Sequence, residues 1–394
     1  TDENHEEYSR VLLPHYIRGK VARDQVFLKK PEWYTQNKIS LVKGVKTESL
    51  DPKSHRVRVS GGEEYKYGKL LIAVGGYVVK LDVAGSDLDN VLYMRTIEDA
   101  DKIVKVASQS QRAVVVGGGF IGLEFATSFR VNGIEKVTVL VLEDYYWQGK
   151  LDPKSSQVLQ KVLEDNGCKV VTREEVDHLE GDSQVRSIVT KSGNRHECEV
   201  VGVGIGIKSD FSWLEGSGIK INRGIVTNEY LETNVPDIYA AGDCAEFHDV
   251  IFERQHIMGN WANATSQGSA VGKTMTGART VFETASSYTI NFFDGSCSFI
   301  GVTDEKFADE VIVRGSVEAG KMARIFIKKY HSTHSVNSGQ AGSGSTTRIV
   351  GATVIHDPAE VSPLTTAVKS KADISAHVVN LSDTNFDLKQ ILQS

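Results

Sequence analysis

The stretch that most constrains the fold is RAVVVGGGFIGLEFA, which runs from Arg112 to Ala126. A short apolar run, typical of a buried β-strand, leads into Gly117, Gly119 and Gly122, and an apolar helical pattern follows. In this G-x-G-x-x-G spacing Gly117 makes the tight turn, Gly119 lets a pyrophosphate approach the backbone, and Gly122 lets the helix pack on the strand. The pattern predicts the first turn of a dinucleotide-binding βαβ unit. The alternative is a glycine-rich turn without a ligand.

The length and composition indicate a chain with more than one core. With 394 residues there is room for two or three domains, and 40% hydrophobic with 24% charged residues is typical of a globular α/β protein. The net charge of −6 argues against non-specific nucleic-acid binding, and no apolar run approaches the roughly 20 residues of a membrane span. The four cysteines have neither metal-binding nor redox spacing. We therefore expect reduced thiols, a cytoplasmic protein and no metal site.

Local patterns predict most of the other elements. Val57 and Val59 alternate with polar residues before a Gly61-Gly62 turn, which indicates a hairpin. Thr96 is an expected N-cap for a helix that continues to Ala107. The remaining predictions are strands at Ile39–Val42, Lys69–Val74, Val137–Leu142, Lys169–Thr172, Val185–Thr190, Val200–Gly204, Ile238–Ala241, Thr289–Phe293, Val311–Arg314, Ala323–Lys329 and Arg348–Ile355, helices at Pro153–Asn166 and Asn260–Gly277, two short helices at the end, and a mobile hairpin loop at Ser332–Thr347.

Three glycine-bearing signals follow one another along the chain: AVGG (Ala73–Gly76), GGGFIG (Gly117–Gly122) and YAAGD (Tyr239–Asp243). This set and order resemble the pyridine nucleotide–disulfide oxidoreductases, flavoproteins with two dinucleotide-binding domains. The resemblance covers nearly the whole chain and includes W-x-N-A-x-x-Q-G at Trp261–Gly268. It implies an α/β fold in which one Rossmann-like domain holds FAD and a second, inserted into the first, holds NAD(P)H, with an α+β interface domain at the carboxyl end.

The resemblance implies four segments. Residues 1–97 would be the first part of the FAD domain, 98–222 the NAD(P)H domain, 223–284 the second part of the FAD domain, and 285–394 the interface or dimerisation domain. The family's own FAD fingerprint should precede Asp2 and is absent from the sequence. We therefore expect a fragment of a longer protein; the alternative is a chain that binds FAD poorly.

The resemblance also implies roles for individual residues. Asp243 would accept hydrogen bonds from the FAD ribityl chain, with a helix N-cap as the alternative or additional role. Trp261 would lie beside the flavin ring, unless it is an ordinary core tryptophan. Glu124 would face the nicotinamide, unless it is a surface glutamate that stabilises the first helical turn. Asp2 would bind the adenosine ribose, with Glu3 as the alternative. The further cofactor contacts would be Arg10, His15, Thr47, Ala73, Gly75, Gly117, Gly119, Phe120, Ile121, Gly122, Gly206 and Gly242.

The choice between NADH and NADPH depends on the end of the strand at Val137–Leu142. By the resemblance the deciding residue is Val141, which is neither acidic nor basic. Glu143 lies about 20 residues after Gly122, where a ribose-binding carboxylate is expected. No arginine occurs between Glu143 and Gln148 to hold a 2′-phosphate. NADH is therefore favoured.

The branch of the family follows from the cysteines. The thiol-using members need a cysteine pair or one cysteine in the stretch that here reads YSRVLLPHY, and this chain has neither. The pattern resembles the ferredoxin, rubredoxin and nitrite reductase-like members. It implies an NAD(P)H-dependent enzyme that passes hydride to flavin and electrons to a small electron carrier or another acceptor, with a homodimer possible. The alternatives are an NADH oxidase-like protein, a redox-sensing flavoprotein resembling apoptosis-inducing factor, or part of a nitrite reductase subunit.

Overall fold

The computed structural model describes residues 1–331 and 345–393. Its α-helices are α1 (Leu13–Ile17), α2 (Pro31–Gln36), α3 (Ile97–Ala107), α4 (Phe120–Val131), α5 (Pro153–Asp165), α6 (Trp261–Met275) and α7 (Pro358–Ser370). Within the described ranges, no helix is both long and apolar enough to cross a lipid bilayer. The predicted loop at Ser332–Thr347 falls largely on residues 332–344, outside the described part of the chain.

The strands are short in the first two thirds of the chain and long near its end. They are β1 (Thr47–Asp51), β2 (Arg56–Val59), β3 (Glu64–Lys66), β4 (Leu70–Ile72), β5 (Tyr77–Val78), β6 (Val91–Leu92), β7 (Arg112–Val116), β8 (Lys136–Leu140), β9 (Cys168–Val171), β10 (Val176–Gly181), β11 (Val185–Thr190), β12 (Arg195–Glu197), β13 (Val200–Val203), β14 (Ile207–Lys208), β15 (Ile225–Val226), β16 (Ile238–Ala240), β17 (Ala245–Asp249), β18 (Arg254–Ile257), β19 (Ser287–Phe292), β20 (Gly295–Gly301), β21 (Glu310–Ser316), β22 (Lys321–His331) and β23 (Ser345–Ile355).

The chain forms two compact units. Unit 1 contains Thr1–Val139 and Glu175–Phe282, and unit 2 contains Leu140–Glu174 and Glu283–Ser394. This division differs from the four predicted segments, because unit 1 holds most of the two predicted nucleotide-binding regions together. Those domain boundaries stay a prediction.

Two parallel strand groups organise unit 1. In the first, β13 lies between β6 and β7, with Val201 opposite both Val91 and Val114. Strand β7 is buried apart from its first residue, because its apolar side chains pack on both faces of the sheet. In the second group β16 runs parallel to β4, with Tyr239 opposite Leu71. Ligands of open parallel sheets bind beyond the carboxyl ends of the strands, so these ends are where a site is expected.

Helices begin in unit 1 where the sequence predicts them. The Thr96 hydroxyl accepts a hydrogen bond from the Asp99 N–H at 3.2 Å, and the Asp99 carboxylate accepts one from the Thr96 N–H at 2.8 Å. This reciprocal capping box starts α3. Helix α4 begins directly after Gly119, as the glycine motif predicts. The predicted hairpin around Gly61-Gly62 is also present, as β2 and β3. The predicted strand at Ile39–Val42 is wrong, because these residues form neither helix nor strand.

Unit 2 is built around an antiparallel sheet in the order β19-β20-β23-β22-β21. Its core includes Phe326, Ile349 and Val354. Beyond α7 the chain is held by the Arg314 guanidinium, which pairs with Glu360 and donates to main-chain carbonyls of the last residues, among them that of Phe386 at 2.8 Å. A buried guanidinium needs several such acceptors to offset its lost hydration.

The predicted strands of this region are present, with two differences. Strand β20 was missed, because its sequence GSCSFIG contains small and polar residues. The two short terminal helices are wrong: α7 spans 13 residues, and only 3-10 turns at Val378–Asn380 and Leu388–Leu392 follow it.

Candidate functional site

The glycine turn of unit 1 has a geometry that requires glycine at two of its three motif positions. Gly117 has φ +101°, and a Cβ there would lie 2.5 Å from the Gly204 carbonyl oxygen. A Cβ on Gly122 would lie 1.9 Å from the Gly117 carbonyl oxygen. Gly206, in the segment after β13, also has a positive φ, +121°. Strands β7 and β13 are paired, so their glycine-bearing ends meet at one edge of the sheet.

Gly119 differs from its neighbours, because nothing in the protein explains why it is glycine. It is the N-cap of α4 with an ordinary extended φ of −76°, and the nearest atom to an added Cβ would be 3.9 Å away. The space in front of it therefore lies at a helix N-terminus, where the N–H groups of the first turn, Phe120 and Ile121 among them, favour an anion. The residues fit the pyrophosphate of a dinucleotide.

Glu124 is held one turn along α4 by an ion pair with Arg18. The Arg18 Nη2 lies 2.8 Å from the Glu124 Oε2, and the two side chains are 3% and 16% exposed. Burial raises the pKa of Glu124 to about 7, and the positive charges of Arg18 and Lys20 oppose that rise. Glu124 is therefore not a surface residue that only stabilises the helix dipole. It is a mostly buried carboxyl group that titrates near neutral pH.

Arg18 itself was missed by sequence reasoning, which assigned the positive charge of α1 to His15 instead. His15 lies on the same helix, and its pKa is lowered by burial and by the charges of Arg18 and Lys20, so it is neutral at physiological pH. Arg18 lies three residues further along, and no local signal links it to Glu124, which is distant in sequence.

The second group of predicted residues lies at the carboxyl ends of β4 and β16. Asp243 follows Gly242, whose N–H donates to the Gln267 side chain at 2.7 Å. The Asp243 Oδ2 lies 3.8 Å from the Arg95 guanidinium, and a Cβ on Gly75 would lie 3.1 Å from the same guanidinium. The Asp243 carboxylate and the Arg95 guanidinium therefore lie close to Gly75 and Gly242. Both glycines have left-handed backbone conformations. Such a polar, close-approach surface fits a sugar-phosphate chain.

The amino-terminal residues form a hydrogen-bonded cluster next to Arg95. The Tyr77 hydroxyl donates to Asp2 at 3.0 Å, and burial together with this carboxylate raises the pKa of Tyr77 to about 12. Arg10 pairs with Glu3 and donates to the Arg95 carbonyl oxygen. Arg10 is therefore linked to Asp243 through Arg95, whereas Asp2 is bonded to Tyr77. Sequence reasoning missed both Arg95 and Tyr77.

Trp261 is the first residue of α6 and is 49% exposed. The alternative of an ordinary core tryptophan is therefore wrong. A large aromatic side chain left half in solvent at a helix N-terminus has surface to offer a planar ligand. Its neighbour Asn260 caps the helix by accepting a hydrogen bond from the Asn263 N–H at 2.8 Å, which fixes where the indole is presented.

The remaining predicted contacts are placed as follows. Thr47 is the first residue of β1, opposite Val59, and Ala73 is an exposed residue directly after β4. Glu143 belongs to unit 2, is exposed, and its carbonyl oxygen accepts a hydrogen bond from the Arg173 N–H at 3.1 Å. The roles of Thr47, Ala73 and Glu143 in cofactor binding stay predictions.

Comparison with known proteins identifies the family. A family model described as pyridine nucleotide-disulphide oxidoreductase matches residues 1–268. The chain belongs to this family. Members of the pyridine nucleotide-disulphide oxidoreductases similar to it include the nitrite reductase [NAD(P)H] of Bacillus subtilis, 27% identical over 95% of the chain and 44% of that protein. The putidaredoxin reductase of Pseudomonas putida is 28% identical over 78% of the chain and 75% of that protein.

Among solved structures, a putidaredoxin reductase in covalent complex with putidaredoxin has the same fold. Its TM-score is 0.88 at 24% identity, over 100% of this chain and 90% of that one. The predicted fold class, two Rossmann-like dinucleotide-binding domains with an α+β region, is confirmed. The chain spans less than half the length of the Bacillus subtilis nitrite reductase.

Proposed function

We propose that this chain is an NADH-dependent flavoprotein reductase that delivers electrons to a small carrier protein of the ferredoxin or rubredoxin kind. The observation that carries the proposal is the Glu124–Arg18 pair one turn beyond the glycine turn. When bound, FAD takes up a hydride from NADH and gives electrons on to an acceptor. Everything else in the reaction is binding and orientation by the chain's own residues.

The proposed roles are those that the resemblance implies, and the geometry described above supports them. The turn at Gly117–Gly122 holds the NADH pyrophosphate, with Gly206 on the adjoining segment. Glu124 accepts a hydrogen bond from the nicotinamide carboxamide and so orients the ring, and Arg18 holds Glu124 in place. Asp243 would accept hydrogen bonds from the FAD sugar chain, and the half-exposed Trp261 would offer its ring to the flavin.

The cysteines support electron transfer without thiol chemistry. All four are buried, and burial raises the pKa of Cys198 to about 12 and that of Cys244 as well. A thiol that stays protonated is a poor nucleophile and a poor redox relay. NADH is proposed over NADPH on the strength of Glu143. A cytoplasmic location, a homodimer formed through residues 285–394, and the four-segment domain division are proposed with it.

The test is an absorbance spectrum of the purified chain before and after anaerobic addition of NADH. Flavin bands that bleach with NADH support both binding sites. The Glu124→Ala variant should contain as much flavin as the wild type. NADH should reduce that flavin at least about tenfold more slowly, because the carboxamide is no longer oriented. A flavin-containing protein that NADH does not bleach, or equal rates in the two proteins, would contradict the proposal.

A further inference from the structure

One stretch of unit 1 has a charge opposite to that of the rest of the chain. Residues 18–46, here called the basic segment, contain eight lysines and arginines and two acidic residues, a formal charge of +6. The whole chain carries −6, so the other residues carry −12. The chain-wide net charge hides this asymmetry, which points to an electrostatic partner.

Half of these cations are neutralised within unit 1. Four of them pair with carboxylates at N–O distances of 2.8 to 3.3 Å: Arg18 with Glu124, Arg23 with Asp101, Lys43 with Glu6, and Lys46 with Asp210. These four cations therefore have ordinary structural roles as ion-pair partners within unit 1.

The other four cations have no such partner. Within residues 1–331 and 345–393, no carboxylate lies within 4 Å of the ammonium groups of Lys20, Lys29, Lys30 and Lys38. Lys29 lies over the Trp33 ring, 4.7 Å from its centroid, and so is held at the surface by a cation–π contact. With the four paired cations set aside, four lysines and two acidic residues, Asp24 and Glu32, leave the basic segment a formal charge of +2 and so a positive potential.

The basic segment also exposes apolar side chains. Leu28 and Ile39 are exposed, on either side of α2, and Trp33 on α2 is half-buried. Protein–protein interfaces usually combine an apolar centre with a charged rim. The exposed leucine and isoleucine beside these lysines match that composition better than that of a purely solvated charged surface.

The basic segment begins beside the proposed hydride site. Its first residue, Arg18, forms the ion pair with Glu124 at 2.8 Å. Burial, Arg18 and Lys20 together lower the pKa of His15. The segment therefore starts at the residues that the proposed function uses.

We infer that the basic segment is the docking surface for an acidic electron-accepting protein, with Lys20, Lys29, Lys30 and Lys38 as its charged rim and Leu28 and Ile39 as its apolar contacts. The inference rests on the proposed function. Charge complementarity favours a small acidic carrier, because such a surface raises the association rate and orients the partner before contact. An anionic lipid surface or a nucleic acid would be attracted by the same charges and is an outcome of the test.

The experiment compares two triple variants of the full chain with equal changes in net charge. K29E/K30E/K38E reverses the rim, while K53E/K66E/K220E reverses three exposed lysines of unit 1 outside the segment. Isothermal titration measures binding of two acidic probes, a rubredoxin and a [2Fe–2S] ferredoxin, at 20 and 200 mM salt. We expect the rim variant to weaken binding at least tenfold at low salt and to flatten its salt dependence, and the control variant to resemble the wild type.

The catalytic readout separates the two proposals. Reduction of a small uncharged quinone by NADH should be equal in all three proteins, since none of the substituted lysines contacts the proposed hydride site. If quinone reduction is absent in the wild type, the proposed function fails while the titration still tests docking. Equal loss in both variants, no binding of either probe by the wild type, or tighter binding to phosphatidylglycerol vesicles or duplex DNA than to the carriers would overturn the inference.

Discussion

Glu124 shows how much a single residue's chemistry depends on its surroundings. An ordinary glutamate is ionised at neutral pH, but burial raises the pKa of this one to about 7. Because the pKa in the folded protein is above that of the unfolded chain, the contribution of Glu124 to stability is fully present below about pH 4.5. It is lost as the pH rises through about 7.

This gives a prediction for the Glu124→Gln variant. Between pH 5 and pH 8 the free energy of unfolding of the wild type should fall relative to that of the variant, by on the order of 2 kcal/mol, because only the wild type must ionise a buried carboxyl. Urea unfolding at the two pH values measures the difference. Unfolding free energies that change in parallel would contradict it.

The glycine turn provides a matched pair of substitutions. Gly119→Ala should leave the melting temperature nearly unchanged, because its Cβ meets nothing closer than 3.9 Å, yet weaken NADH binding about tenfold by occupying the phosphate space. Gly122→Ala should cost about 3 kcal/mol of stability, because its Cβ would lie 1.9 Å from a carbonyl oxygen. Calorimetry and NADH titration separate the two effects; a destabilised Gly119→Ala protein would remove the argument for a ligand there.

At the scale of elements, capping and turn signals contained in a few residues were read correctly, and long-range pairings were not. The start of α3 at Thr96 was predictable because a capping box is contained in four residues. Strand β20 was not, since its extended conformation is imposed by its pairing with β19 and β23 and not by its own small residues. For the same reason the glycine turn was predictable and the Arg18–Glu124 pair, which joins residues distant in sequence, was not.

Helix α6 offers a test of the tryptophan it presents. Trp261→Ala should change stability by less than about 0.5 kcal/mol, because the side chain is already half in solvent, while flavin affinity or reduction by NADH is impaired. Trp147, buried in unit 2 and packed 5.5 Å from the Phe299 ring, is the control. Its replacement by alanine should cost about 3 kcal/mol or more. Equal destabilisation by both substitutions would show that Trp261 is a structural residue.

Helix α5 begins after Asp152, whose carboxylate both caps the helix and pairs with a buried arginine. Asp152 accepts hydrogen bonds from the N–H groups of Lys154 and Ser155, and its other oxygen lies 3.0 Å from the buried Arg324 Nε. Asp152→Asn keeps the cap but not the charge, whereas Asp152→Ala removes both. We expect losses of about 1–2 and about 3 kcal/mol respectively, measured by urea unfolding. Equal losses would mean that the cap contributes nothing.

At the scale of the whole molecule, the chain is interleaved between its two units. Unit 1 takes two separate stretches of sequence and unit 2 takes the two that remain. The glycine turn belongs to unit 1, and Glu143 belongs to unit 2. The net charge of −6 does not reveal the basic segment, because it is the sum of that segment's +6 and the −12 of the other residues.

The strand register of unit 2 has a practical consequence for protein engineering. Strand β22 ends at His331 and β23 begins at Ser345, and these two residues are register partners. Partners in an antiparallel pair have Cα atoms only about 5 Å apart. An inserted domain whose own termini are similarly close, such as a fluorescent reporter, can therefore be grafted between them without changing the hydrogen-bond register of either strand, which makes this junction a place to attach a sensor.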